Sequence, residues 1–318
     1  MRIAVIGVGG VGGLVAALLA RAGEEVVVVA RGAALEAIRS AGIAVESPLG
    51  VFTQPVAAAS DDPGALGAAD AVLVAVKAWQ VGELAPRLAP LLADGGVAVP
   101  LQNGVEAADR LAAALGEERV AGGLVNVLAR ISGPGAVRHV GANPRITMGE
   151  RGARAKAPSP RLEALAAALE RAGVGARVTD DIERASWEKF MLIEPWGAVS
   201  ALARAPIGVV RSVPETRELL GAALEEVAAV GRARGVALRP DAVARTLAII
   251  DGVPAEGTAS MQRDIGAGRP SELDDQVGAV VRLAAAAQVP VPVHRFALAA
   301  LRPQEAAARR VIPRFTRT

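Results

Sequence analysis

Of the 35 basic side chains in this sequence only Lys77, Lys156 and Lys189 are lysines. Arginine does not release a proton near neutral pH, so a lysine kept in an arginine-biased composition marks a place where a titratable amine could be needed. Lys156 falls in the polar loop from Arg151 to Pro160 and reads as incidental. Lys77 follows an apolar strand pattern, and Lys189 lies in a helical one. Other reactive groups are sparse. There is no cysteine, which excludes disulfides, thiolate catalysis and cysteine-ligated metals. There is no tyrosine, so a Tyr-Lys reductase pair is excluded. His139, in an alternating stretch, and His294, near a proline-rich turn, read as structural or surface positions. Two histidines are too few for a histidine-rich metal centre, and no metal site is expected.

The second chemical signal is at the start of the chain. Met1 to Gly7 is a short apolar run rich in β-branched residues, followed by Gly7-Val8-Gly9-Gly10-Val11-Gly12. A helix-like stretch runs from Leu14 to Ala22, and a second buried-strand pattern from Glu25 to Ala30 ends at Arg31. Strand, glycine turn, helix and strand within about 30 residues is the βαβ dinucleotide fingerprint, with G-x-G-x-x-G in the required place. Gly7 permits the tight turn, Gly9 lets the backbone approach a pyrophosphate, and Gly12 lets the helix pack closely on the strand. The helix N-terminus offers N–H groups and partial positive charge to phosphates. At the end of the second strand, where NAD-binding chains place an acidic residue for the ribose 2′-hydroxyl, this sequence has Arg31. A guanidinium suits a 2′-phosphate, which points to NADP(H).

The elements that must position these residues change character along the chain. Helix is expected over Ala33 to Ala41, and a hairpin of Ile43 to Ser47 with Val51 to Ala58 around Pro48-Leu49-Gly50. Ala69 to Val76 reads as a buried strand, Val81 to Leu92 as helix, and Val97 to Leu101 as strand. Val105 to Leu115 reads as helix, and Val120 to Ile131 and Val137 to Met148 as strands. Leu162 to Ala172 is a helix pattern and Ala176 to Val178 a last strand. From Asp180 onward strand patterns stop, and Ile182 to Ser200, Thr216 to Gly235, Asp241 to Ile250 and Glu272 to Ala287 read as helices. Ser271 is placed as N-cap of the last of these. The 318 residues favour two domains. The expected α/β fold is a Rossmann domain with a doubly wound, mostly parallel sheet over 1–179, followed by an all-α domain over 180–318.

Composition sets further bounds. An apolar content of 52% is ample for large cores, and a net charge of +2 demands neither nucleic acid nor an anionic membrane. Arg302, Arg309, Arg310, Arg314 and Arg317 near the C-terminus read as a solvated end. No apolar run is long and unbroken enough for a transmembrane helix. The glycines at 7, 9, 10, 12 and 13 break any signal-peptide helix, so the cytoplasm is the expected compartment. Apolar faces among the C-terminal helices could support a homodimer.

Taken together the motifs resemble the ketopantoate reductase (2-dehydropantoate 2-reductase) family. The resemblance rests on the glycine turn, Val76-Lys77-Ala78-Trp79-Gln80, Gln102-Asn103-Gly104, Trp187-Glu188-Lys189, Ser260-Met261-Gln262-Arg263-Asp264 and Glu272-Leu273-Asp274, in order over nearly the whole chain. It implies NADPH-dependent reduction of a small branched 2-keto acid. It implies that Gly7, Gly9, Gly10, Val11, Gly12, Arg31, Lys77, Gln80 and Asn103 hold the cofactor. It also implies that Asn103 and Ser260 bind substrate, and that Lys189 is the general acid, with Glu272 contacting substrate and lysine. The chemistry agrees: hydride addition to a ketone develops negative charge on oxygen, which an ammonium within reach stabilises and protonates.

The sequence departs from that family where asparagines are common, with Ile193, Gly197 and Gly257 instead. These changes leave the hydride machinery in place but suggest a less polar pocket and a bulkier or less hydroxylated 2-keto acid. Two other readings are a β-hydroxyacid dehydrogenase, against which the Lys-Ala-Trp-Gln run argues, and an NADP(H)-binding redox sensor without chemistry.

Overall fold

The computed structural model describes residues 1–311, so Arg314 and Arg317 lie outside the described residues. The chain forms two compact units, one of Met1–Gln102 with Ala107–Glu183, the other of Asn103–Glu106 with the chain from Arg184 onward.

In the first unit the order is β1 (Arg2–Ile6), α1 (Gly10–Arg21), β2 (Glu25–Val29), α2 (Gly32–Ala41), β3 (Ile43–Ser47), β4 (Gly50–Gln54), β5 (Ala58–Ser60), β6 (Ala69–Val74), α3 (Val81–Leu84), β7 (Leu92–Pro100), α4 (Ala107–Leu115), β8 (Gly122–Gly133), β9 (Ala136–Gly149), α5 (Pro160–Arg171) and β10 (Gly175–Val178). Strands β5-β2-β1-β6-β7 form a parallel sheet in that order. The central strands β1 and β2 carry apolar runs, Ile3–Ile6 and Val26–Val29, because both faces are covered. Ile3, Val5, Val26, Val28, Leu73 and Val99 enter one core with α1 and α5, while Ala4, Ile6, Val27, Val29, Val72 and Val74 enter another with α3 and α4. Adjacent residues of one strand alternate between the two cores, as period-2 geometry requires.

A second, mixed sheet was not foreseen: β10-β9-β3-β4, with β8 antiparallel to β9. It corrects the expected hairpin. Val51 to Ala58 is not one strand, because Pro55 separates β4, which pairs with β3, from β5, which joins the parallel sheet beside β2. The expected helix over Val81 to Leu92 is also corrected. Only α3 is α-helical, and Pro86 and Pro90 hold 85–91 in tighter 3₁₀ turns, since proline supplies no N–H to an i→i−4 ladder. His139 is buried in β9. Its Nε2–H donates to the Ala142 carbonyl at 2.9 Å, leaving Nδ1 to accept from the Ser47 hydroxyl at 2.8 Å.

Among the described residues, the regular elements of the second unit are all helices: α6 (Ile182–Ala203, its first residues in the other unit), α7 (Ile207–Ser212), α8 (Pro214–Ala233), α9 (Ala242–Asp251), α10 (Ser260–Gly266), α11 (Val277–Ala287) and α12 (Pro292–Ala308). Helices α7, α10 and α12 add to the four expected from periodicity. The expected helix from Glu272 begins instead at Val277. Ser271 is not its cap: the hydroxyl donates to Glu305 Oε2 at 2.6 Å and accepts from the Leu273 N–H at 3.2 Å. The arginines near the end are more tethered than a solvated tail. Arg302 pairs with Asp274 at 2.6 Å, and Arg309 pairs with Glu305 at 2.5 Å and donates to the Ser271 carbonyl at 2.8 Å.

His294 sits at the first turn of α12, fully buried rather than on the surface. Its Nδ1 meets Glu226 of α8 at 2.5 Å and its Nε2 meets Glu194 of α6 at 2.8 Å. Glu226 also accepts from the N–H groups of Val293 and His294 at 2.8 and 3.0 Å, so it satisfies helix-start donors that α12 caps with no side chain of its own. No helix among the described residues is long and apolar enough to cross a membrane.

Candidate active site

In the first unit the glycine turn leaves β1 with Gly7 at φ +93°, a conformation that disfavours any side chain. A Cβ at Gly12 would overlap the Gly7 carbonyl oxygen and lie 2.9 Å from Ala75 Cβ, so α1 starts against the turn itself. A Cβ at Gly10 would stand 2.5 Å from the Ala129 carbonyl oxygen of β8. Gly9 differs: no atom lies within 4 Å of the position a Cβ would take. It is the N-cap of α1, makes no side-chain cap bond, and is followed by no acidic residue in the first turn. This bare helix start in open space fits the pyrophosphate of a dinucleotide. Val11 packs partly buried against the core, so only its backbone is available to phosphate.

Because β2 and β6 flank β1 in register, the residues following these strands share the carboxyl edge of the sheet. That is where open α/β sheets bind ligands. Arg31, just past β2, is exposed, as is Lys77 past β6, whose Nζ stands 5.7 Å over the Trp79 ring. Gln80 has a structural use here: its side-chain oxygen accepts from the Lys77 N–H at 3.2 Å.

The open and crowded glycines make separable predictions. Gly9→Ala is expected to leave the melting temperature unchanged while raising the dinucleotide Kd about tenfold, since a methyl would occupy ligand space. Gly12→Ala is expected to cost about 1–3 kcal/mol of stability by overpacking. Calorimetric titration beside thermal melts of both variants checks the pair.

The chemistry-bearing residues gather in the second unit. Asn103 belongs to it through a four-residue segment: Val105 packs into the helical core and Glu106 pairs with Arg282 at 2.7 Å. Lys189, on α6, donates to Asn103 Oδ1 at 3.0 Å. Burial pushes the Lys189 amine down to about 8, partly opposed by the Glu272 carboxylate. An ammonium with this value is in roughly tenfold excess over the amine at pH 7 and can still release its proton. Glu272, buried in the bend before α11, accepts from the Gln276 side-chain amide at 3.3 Å. Ser260 is the first residue of α10. The adjoining Ala259 and Met261 reach the α6 glycine two turns beyond Lys189: a Cβ at Gly197 would meet Met261 Cε at 3.2 Å and Ala259 Cβ at 3.5 Å. The structure thus unites Lys189, Asn103 and Glu272, and sets Ser260 beside the same helix.

Two supporting residues, Gln276 and Gln102, were given no role from sequence. Gln276 lies four residues after Glu272, a spacing that could have signalled it. Gln102, buried, donates to the carbonyls of Val74 and Val76, both at 2.9 Å; nothing local in the sequence marks those acceptors.

A parallel-sheet unit with a phosphate-ready glycine turn, joined in one chain to a helical unit holding a half-buried lysine of lowered pKa, defines a dinucleotide-dependent oxidoreductase. Residues 3–153 match the model of the ketopantoate reductase PanE/ApbA family and residues 181–305 its C-terminal model, and the chain belongs to that family. It is 33% identical to a 2-dehydropantoate 2-reductase of Mesorhizobium japonicum over 95% of this chain and 97% of the relative. It is 31% identical to one of Halobacterium salinarum over 93% and 96%. The crystal structure of a ketopantoate reductase from Ralstonia eutropha JMP134 superposes with a TM-score of 0.87 at 33% identity, covering 97% of this chain and all of that one.

Proposed function

We propose that the chain reduces a small branched 2-oxo acid to the 2-hydroxy acid with NADPH, the type of reaction for which its 2-dehydropantoate 2-reductase relatives are named. The observation that carries this reading is Lys189: a half-buried ammonium lowered to about 8 by desolvation and held by Asn103. When bound, the dinucleotide supplies the hydride that adds to C2. Lys189 Nζ stabilises the charge developing on the carbonyl oxygen and gives it a proton, leaving a neutral amine that regains a proton from solvent. Asn103 Oδ1 accepts from Nζ and fixes its direction. The Ser260 hydroxyl is offered to the substrate carboxylate. Glu272 holds the lysine's charge near the reacting oxygen and is itself held by Gln276.

Oxidation of NADPH with a panel of 2-oxo acids, ketopantoate included, tests the reading. Tight NADPH binding with no turnover across the panel would favour the redox-sensor alternative. The NADP(H) assignment rests on Arg31 and Lys77, both exposed, which follow the two strands flanking β1 at the carboxyl edge of the sheet. Arg31→Glu is expected to raise the KM for NADPH about 10- to 100-fold, the worth of a charged hydrogen bond, and to leave that for NADH within a few-fold. An unchanged cofactor preference in steady-state kinetics would remove Arg31 from this role.

A further inference from the structure

We propose that Arg110 is a positioning residue of the dinucleotide site. Its guanidinium braces the turn that carries Lys77, and it raises cofactor affinity through that lysine rather than by touching the cofactor itself. The inference rests on the reading of Lys77 as a cofactor ligand and extends the site to a residue outside every motif quoted above.

Lys77 stands on a thinly supported piece of chain. Strand β6 ends at Val74, and the backbone then passes through three residues outside any regular element. A single 3₁₀ turn follows at Ala78–Gln80, and then the one-turn helix α3. The turn's own bonds about Lys77 are few. The Gln80 N–H donates to the Lys77 carbonyl at 2.9 Å, and the Lys77 N–H donates to the Gln80 side chain at 3.2 Å. A long, exposed lysine on such a turn loses much of what a phosphate contact gives it to the ordering of its own chain.

Two side chains from later in the first unit supply what the turn lacks, and they bracket Lys77. On one side Gln102 donates to the carbonyls of Val74 and Val76. On the other, Arg110 Nη1 donates to the Ala78 carbonyl at 3.2 Å. Arg110 projects from a rigid base. It lies on α4, whose Leu111, Ala112 and Leu115 are buried in the same core as Val81 and Leu84 of α3. The helix that offers the guanidinium and the helix that follows the turn are therefore packed together. A charged donor makes a stronger bond to a carbonyl than a neutral one, and the planar fork loses little freedom in making it. Half-burial of Arg110 limits competition from water. With the backbone held at Val76 and Ala78, Lys77 departs from a fixed Cα, and its Nζ is already drawn over the Trp79 ring. A dinucleotide then meets a lysine with less freedom left to lose.

A double-mutant cycle tests this, with NADPH binding to the full chain followed by the fluorescence of the reduced nicotinamide in the absence of substrate. Arg110→Ala is expected to raise the Kd about 3- to 10-fold in the wild-type background, and less than about twofold in a Lys77→Ala background. If Arg110→Ala melts too low to titrate, Arg110→Met, which keeps the aliphatic stem, takes its place in the cycle. An equal rise in both backgrounds would make Arg110 a direct cation on the cofactor. An unchanged Kd with a lowered melting temperature would make its bond to Ala78 purely structural. Either result overturns the inference, as does a Kd unmoved by Lys77→Ala alone, and each leaves the reductase reading standing. A wild-type chain that does not bind NADPH overturns the reductase reading, and this inference with it.

Discussion

Lys189→Ala is expected to lower kcat for 2-oxo acid reduction by roughly three to four orders of magnitude, because it removes both the proton donor and the charge that stabilises the developing alkoxide. The glycine turn, Arg31 and Lys77 belong to the other unit, so the Kd for NADPH should stay within a few-fold. The wild-type profile should carry the same signature. With the amine lowered to about 8 by burial, kcat should be level below that pH and fall about tenfold per unit above it, as the protonated fraction falls. Lys189→Arg keeps the charge but cannot release the proton. Its residual activity should therefore be low and show no break near pH 8. Single-turnover kinetics across pH separates the three proteins. Near-normal turnover in the alanine variant would sink the general-acid assignment, and with it the reading built on that residue.

The parts of this arrangement that could be read from sequence are those whose physics is local. The β1-α1-β2 unit shows itself because parallel strands covered on both faces read as unbroken apolar runs, and because the requirements at Gly7, Gly9 and Gly12 arise within a few residues of one another. The second sheet is different. Strand β3 pairs with β9, and Ala44 meets Ala136 across the length of the unit, so no local pattern announces it. At residues 85–91 the apolar spacing is compatible with helix, but Pro86 and Pro90 outweigh it. At Glu272 the helix pattern is real but is overridden from outside: Glu305 accepts from the N–H and hydroxyl of Ser271, holding 271–276 as a bend before α11. The candidate site divides along the same line. Lys189 stands out by composition, but its fixing by Asn103 depends on a four-residue segment that leaves the first unit for the second, a tertiary fact with no sequence mark.

His294→Ala is expected to cost about 3–5 kcal/mol of stability, the usual penalty for removing one partner of a buried charged cluster, because Glu194 and Glu226 would be left facing each other without a cation. In a chain of this length that corresponds to a melting temperature lower by about 10 °C. The pH dependence identifies the cause. Burial alone would lower the His294 value, but the Glu194 and Glu226 carboxylates overcome it and raise the imidazole from 6.5 to about 9. The folded protein thus holds this proton more tightly than the unfolded chain. The contribution is complete below pH 6.5 and is lost as pH rises through about 9, on the order of 3 kcal/mol in all. Glu226 runs the other way. Despite its burial, hydrogen bonds from His294 and from the α12 backbone lower its value, so its share is present above the ordinary carboxylate range and is lost as pH falls. The cluster should therefore hold α6, α8 and α12 together best between about pH 5 and 6.5. Urea unfolding at half-unit steps from pH 5 to 9.5 should show wild-type stability declining through the upper half of that range, while His294→Ala is weaker at pH 6 and nearly flat above it. His294→Gln, which keeps hydrogen bonding but not the charge, should fall between the two at pH 6 and share the flat profile. A variant as stable as wild type at pH 6, or one that keeps the alkaline decline, would show that the decline comes from other groups and that the three helices are held by their apolar contacts alone.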